Sequence, residues 1–312
     1  MNLKSIILAK VLGLSIIAIM VSGLTVYPAF ATTVNFPDFS STTGLTLNGN
    51  AAVVTNGIDP NLVLRLVPAT TGQSGSMFSS TTINSADFST NFQFRITNPG
   101  GVTDLSGEKG ADGFVFVIQP VSSSHGGSGG GLGYAGITPS IGVEFDTFQN
   151  GFDPDTNHIG IDTNGNVDTN SQGSFIFIPQ RFDSGDLYNA WIDYDGTTLK
   201  VFFSQTSIKP VTPALTKVIN IPAIIGTINA FVGFTAGTGA AFGNHDIVNW
   251  IYFDKFIPTP PPTNPVGGEI LPIDMTALFV AGAMTNAFWM IPTLGVIAGT
   301  ALALFKIKRK QN

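Results

Sequence analysis

Trp191-Ile192-Asp193-Tyr194-Asp195-Gly196-Thr197-Thr198-Leu199 decides the fold class. Side chains alternate apolar and polar up to an Asp-Gly pair, and the chain then resumes as Leu199-Lys200-Val201-Phe202-Phe203. Asp-Gly between two such runs is the strongest short-range hairpin signal, because tight hairpin turns need residues that tolerate positive φ. Working outward, the same strand patterning recurs at Asn61–Val67, Phe88–Ile96, Gly113–Ile118 and Ser174–Ile178, separated by Gly, Asn, Asp and Pro clusters. Amphipathic helix periodicity and internal repeats are both missing from this stretch. Many short strands without helices predict an all-β domain, a two-sheet sandwich or jelly roll. The Gly-rich run Gly126 to Gly136 lies between strand-like segments and reads as a ligand loop rather than a linker.

Composition narrows the function classes. The chain has 312 residues, of which 11% are charged, with a formal net charge of −6 and no cysteine. Globular chains average about 25% charged residues. Zero cysteines exclude a disulfide scaffold, a zinc ribbon and a thiol nucleophile. The acidic balance argues against nucleic acid as a partner, which needs a basic face.

The mean hydropathy of +0.29 comes from the two ends. Residues 1–31 read as a secretory signal rather than an uncleaved anchor. Lys4 and Lys10 make a basic start, Val11 to Val21 an apolar core, and Ala29-Phe30-Ala31 a small-x-small cleavage pattern. At the other end, residues 258–274 form a Pro/Gly-rich linker in which Pro260-Pro261-Pro262 enforces extension. Met275 to Phe305 is uncharged and longer than the ~20 residues a membrane helix needs. Lys306, Lys308, Arg309 and Lys310 follow at once, and such basic flanks stay cytoplasmic. The expectation is a domain at 32–257 on the extracellular face of a membrane, held by a single span at 275–305 with a basic tail at 306–312. The tail resembles the anchoring or sorting segments of archaeal surface proteins, and a permanent anchor and a processed signal both fit it. Six of the 14 basic residues sit in these ends, leaving 8; two of the 20 acids, Glu269 and Asp274, do too, leaving 18. The middle domain is therefore near −10, which suits divalent cations and neutral ligands.

The chemistry is concentrated in Val143-Glu144-Phe145-Asp146-Thr147-Phe148-Gln149-Asn150-Gly151-Phe152-Asp153-Pro154-Asp155-Thr156-Asn157-His158-Ile159-Gly160-Ile161-Asp162. Glu144 and Asp146 are two apart, so a strand projects both to one face. Paired carboxylates repel unless a cation or proton lies between them. Asn150, Asp153 and His158 follow in a loop that can fold back. Oxygen ligands with one imidazole and no sulfur fit calcium beside a manganese-like ion. Asp155 and Asp162 read as turn and surface acids, and His125 and His245 as surface or packing residues.

This segment resembles the metal-binding stretch of the legume (L-type) lectins, including their bacterial and archaeal relatives. Three further motifs share the likeness, in the same order: Gly110-Ala111-Asp112-Gly113-Phe114-Val115-Phe116, Gly129-Gly130-Gly131-Leu132-Gly133, and Val232 to Gly239 followed by His245-Asp246-Ile247-Val248-Asn249-Trp250. The resemblance implies a concanavalin-like jelly-roll β-sandwich that binds carbohydrate without catalysing its cleavage. It implies that Glu144, Asp146, Asp153 and His158 hold Mn2+ or another transition ion. Asp146, Asn150, Asp153 and the Phe148 carbonyl would hold Ca2+. Asp112 and Asn150 would bind sugar hydroxyls, helped by amides near Gly130 or Gly131 and at Gly237, Thr238 and Gly239. The Phe148 ring would lie under the sugar. It also implies a cis Ala111–Asp112 peptide; family members often pair through their flat back sheets, so a homo-oligomer and a membrane-tethered single copy both fit.

Two other readings are weighed against this one. Sandwich-fold glycoside hydrolases of the laminarinase group carry Glu-x-Asp-x-x-Glu on one strand, and Glu144-Phe145-Asp146 begins that pattern. The third acid is missing, since residue 149 is Gln149 and the shorter variant would place it at Phe148. Retaining hydrolysis needs two carboxylates across the sugar bond. The other reading is a surface or coat adhesion module with a degenerate sugar site, against which Asp112, Asn150 and the metal residues are all retained.

Overall fold

The Asp195-Gly196 hairpin is present in the computed structural model, which describes residues 32–258 other than 125–126. In chain order the strands are β1 (Thr32–Phe36), β2 (Leu45–Gly49), β3 (Ala52–Val54), β4 (Val63–Val67), β5 (Ser74–Ser79), β6 (Ile83–Asn84), β7 (Phe88–Gly101) and β8 (Gly113–Gln119). They continue as β9 (Ile141–Asp146), β10 (His158–Thr163), β11 (Phe175–Phe177), β12 (Tyr188–Tyr194), β13 (Thr198–Ser204), β14 (Leu215–Val218), β15 (Asn229–Gly237) and β16 (Ala241–Phe253). Two short helices interrupt them, α1 (Thr169–Gln172) and α2 (Ile221–Ile225). Asp168 and Asn220 cap these helices by accepting the Ser171 and Ala223 amides.

The strands form two antiparallel sheets. The back sheet runs β14-β13-β12-β7-β16-β4-β3 with β1 on β16, and the front sheet runs β11-β10-β9-β8-β15-β5-β2 with β6 on β15. The alternation quoted above is the cause. Odd and even residues of a strand face opposite sides, so one set must be buried. Phe92 of the back sheet meets Phe234 of the front sheet edge-on at 4.8 Å, and Phe114 stacks on Phe145 at 4.9 Å.

Every residue of β8 is buried, including the set that faces away from this core. The Gly-rich run explains it. Leu132, Tyr134 and Ile137 pack over Val115, Val117 and Phe78 on the outer side of the front sheet, forming a second apolar cluster. The described part of that loop is thus a packed cover, not a linker. Gly142 permits it, because a side chain there would press on Val115 and the Tyr134 ring.

No helix among the described residues is long and apolar enough to cross a membrane. The signal at 1–31, the linker beyond residue 258, the span at 275–305, the tail at 306–312 and His125 lie outside those residues.

Candidate functional site

Phe145, Ile159 and Ile161 point into the inter-sheet core. Strand alternation therefore turns Glu144, Asp146, His158, Gly160 and Asp162 to the outer side of the front sheet. In the β9–β10 ladder His158 faces Asp146, and Gly160 faces Glu144. The missing side chain at Gly160 matters, since a Cβ there would lie 2.6 Å from Glu144 Oε1. His158 Nε2 is 2.8 Å from Glu144 Oε1. Glu144, Asp146 and His158 each present one ligand atom, all within 4.8 Å of one another, and all three residues are buried.

The loop after β9 folds back over this cluster. Asp146 Oδ1 accepts the Phe148 amide at 2.7 Å, and Asp153 Oδ2 accepts the Asn150 amide at 2.6 Å. Asn150 therefore sits beside the acids, and its side chain lies against Gly130, where a Cβ would fall 2.7 Å from Asn150 Nδ2.

Asp112 completes the group. The Ala111–Asp112 peptide is cis. Asp112 donates its amide to the Gly237 carbonyl at 3.1 Å, and its own carbonyl accepts the Thr147 amide at 2.9 Å. These bonds join three segments that are far apart in sequence: the approach to β8, the end of β9 and the end of β15. Gly239 closes the last side, where a Cβ would lie 3.3 Å from Asp112 Oδ2. Thr238 is buried, and its amide and hydroxyl are both engaged, with the Gln73 and Thr70 carbonyls. The Gly131 amide is likewise held by the Ser128 carbonyl. The Gly239 amide is held too, by the Ala241 carbonyl at 3.1 Å, and Gly239 and Gly130 are the glycines of these loops that abut Asp112 and Asn150. Phe148 is half-buried beside them.

The electrostatics are those of crowded, dehydrated acids. Burial, with the neighbouring charge of Asp153 added, pushes Asp112 up to about 7. Burial pushes Asp153 to about 6. It also raises Asp146, whose neighbours Asp153 and Glu144 add repulsion. Burial alone would lower His158, but hydrogen bonds to Asp155 and Glu144 and the charges of Asp146 and Glu144 raise it to about 11. Glu144 Oε2 and Asp112 Oδ2 are buried without a hydrogen-bond partner. Buried carboxylate oxygens are normally satisfied. Excess negative charge, oxygen and imidazole donors and an unpartnered oxygen together fit a divalent cation.

One expectation needs correction. Asp162 is not a surface acid: it is wholly buried, and Thr169 Oγ1 bridges it to Glu144, donating to Glu144 Oε1 with Asp162 Oδ1 at 3.2 Å. Burial and the Glu144 charge raise its pKa well above the carboxylate range. Asp155 is half-buried and lies 3.2 Å from His158 Nδ1. The alternation His158, Gly160, Asp162 carried the signal for Asp162. Thr169, on α1, had none. Arg181 was also missed. It chelates buried Asp183 at 2.9 and 2.8 Å and donates to the Thr147 carbonyl at 3.0 Å, bracing the loop behind Asp146.

A family model described as the legume lectin domain matches residues 31–265. The chain belongs to the legume lectin domain family. Lectins of this kind bind carbohydrate and are not enzymes, so the family does not favour the hydrolase alternative. Among relatives, the basic agglutinin of Psophocarpus tetragonolobus is 34% identical over 194 residues, spanning 56% of this chain and 72% of the agglutinin. The L-type lectin-domain containing receptor kinase VIII.1 of Arabidopsis thaliana is 34% identical over 177 residues, which is 54% of this chain but only 24% of the kinase. Among solved structures, the winged bean acidic lectin complexed with methyl-α-D-galactose superposes with a TM-score of 0.59 at 26% identity, covering 71% of this chain and 98% of that one. All three are plant proteins, and the archaeal likeness of the tail gains nothing from them.

Proposed function

We propose that this lectin domain binds glycans in a divalent-cation-dependent way, through Asp112, Asn150 and the Gly130 and Gly239 loop segments. The observation that carries the reading is the meeting of Asp112 and Asn150 beside a buried acid–imidazole cluster, built from four separate loops. A sugar offers vicinal hydroxyls to a carboxylate plus amides and C–H groups to an aromatic face, which Phe148 supplies. Glu144, Asp146, Asp153 and His158 would hold a transition ion such as Mn2+; Asp146, Asn150, Asp153 and the Phe148 carbonyl would hold Ca2+. With cations held there, the acids would be neutralised and the Asn150 loop fixed, so the sugar would meet a preorganised site. The full chain on a glycan array, with metal, with EDTA and after metal is restored, tests this. Binding that EDTA abolishes and metal restores is expected; binding indifferent to EDTA, or none under any condition, opposes the reading.

The same proposal places the domain outside the cell, delivered by the signal at 1–31 and tethered through 275–305. The charge-free span followed by Lys306, Lys308, Arg309 and Lys310 supports it. Protease added to intact cells is expected to remove the domain; a protected domain contradicts the topology.

A further inference from the structure

We infer that Asp155 is a positioning residue that fixes the orientation and tautomer of His158 for a transition-metal ion; the inference rests on the metal reading proposed above. An imidazole can coordinate only through a nitrogen that carries no proton, so the other nitrogen must hold the proton and have an acceptor for it. The structure supplies that acceptor. Asp155 Oδ1 lies 3.2 Å from His158 Nδ1, while Nε2 faces Glu144 Oε1 at 2.8 Å within the acid cluster.

The acceptor is itself held in place. The same Asp155 oxygen accepts the Asn157 amide at 3.0 Å. Asn157 is buried and bolted to a different segment, donating to the Ile178 and Gln180 carbonyls at 2.8 and 3.0 Å and accepting the Phe182 amide at 3.1 Å. The Phe175 ring stands edge-on to the imidazole at 6.3 Å, on the strand beside it. A turn anchored in this way leaves the ring one hydrogen-bonded pose, with Nδ1 toward Asp155 and Nε2 toward Glu144 and Asp146. The carboxylate also adds negative charge behind the ring, which strengthens Nε2 as a ligand.

The test is calorimetric titration of the purified full chain with Mn2+, comparing the parent with Asp155→Ala and Asp155→Asn. Losing such an outer carboxylate weakens metal binding by about 10- to 100-fold. That loss is expected for Asp155→Ala, with most of it recovered in Asp155→Asn, which retains an acceptor oxygen. In zinc-loaded protein, side-chain 15N spectra are expected to show the His158 proton on Nδ1 in the parent and a rapidly exchanging one in Asp155→Ala. An unchanged Mn2+ affinity in Asp155→Ala would overturn the inference. So would equal losses in both variants accompanied by equal drops in the metal-free urea midpoint, because Asp155 would then only hold the turn. A parent that takes up no Mn2+ would overturn the metal reading itself, and this inference with it.

Discussion

His245 shows how a single side chain can set a pH limit on the fold. It is wholly buried on β16, with Nδ1 3.0 Å from the Gly243 carbonyl and Nε2 without a partner. Burial, with the positive charge of Arg65 nearby, holds its pKa down to about 4, against an ordinary value of 6.5. The folded protein therefore keeps His245 neutral where the unfolded chain would protonate it. Its contribution is present in full above pH 6.5 and is lost as pH falls toward about 4. A depression of that size corresponds to about 3 kcal/mol. In EDTA, urea midpoints are expected to fall more steeply between pH 7 and 4.5 in the parent than in His245→Asn, whose amide can replace the Nδ1 donor. Parallel pH profiles for the two proteins would assign the acid limb to other groups. The sequence offered His245 only as a lone histidine; its burial follows from its place in β16, which the motif reading located without showing what covers it.

At the scale of elements, the strands and the Glu144–Asp146 face were legible because a period of two is written directly in the residues. The outward set His158, Gly160 and Asp162 obeys the same period. Asp162 nonetheless carries no local mark of burial, because the cover over that face comes from α1 and the Gly-rich loop. Packing of one loop on another is a long-range outcome that no local pattern encodes. Arg181 is the clearest example. It follows β11, yet its guanidinium reaches the Thr147 carbonyl at 3.0 Å, while the Thr147 amide donates to Asp112. Both sides of that residue's backbone are thereby fixed, one by the Asp112 carbonyl and one by Arg181. Arg181→Met leaves buried Asp183 without its cation, and removing one partner of such a pair costs about 3 kcal/mol. The expected result is a lower urea midpoint together with weaker glycan binding in saturating metal. A variant as stable as the parent would show that the Arg181–Asp183 pair contributes nothing.

For the whole molecule, the decisive quantity is charge. A domain near −10 concentrates Glu144, Asp146, Asp153 and Asp162 in one dehydrated region, so the metal-free fold works against its own repulsion. Ligand binding to the folded state adds about 2.7 kcal/mol at one hundred times Kd. For a domain of this size that is a rise of about 5–11 °C in Tm. Calcium with manganese is expected to raise the Tm of the parent and of Asp112→Ala alike, and to leave Asp146→Ala unmoved, because in the proposed site Asp146 would serve both ions and Asp112 neither. The same two variants separate metal from sugar. In the proposed sugar site Asp112→Ala would delete one charge-assisted hydrogen bond, worth ~1.5–3 kcal/mol, or roughly 10- to 150-fold in affinity. The central claim is therefore tested most directly by titrating metal-loaded Asp112→Ala with a glycan that the parent binds. The account predicts a 10- to 150-fold weaker Kd in a protein that metal still stabilises; an affinity equal to the parent's would contradict it.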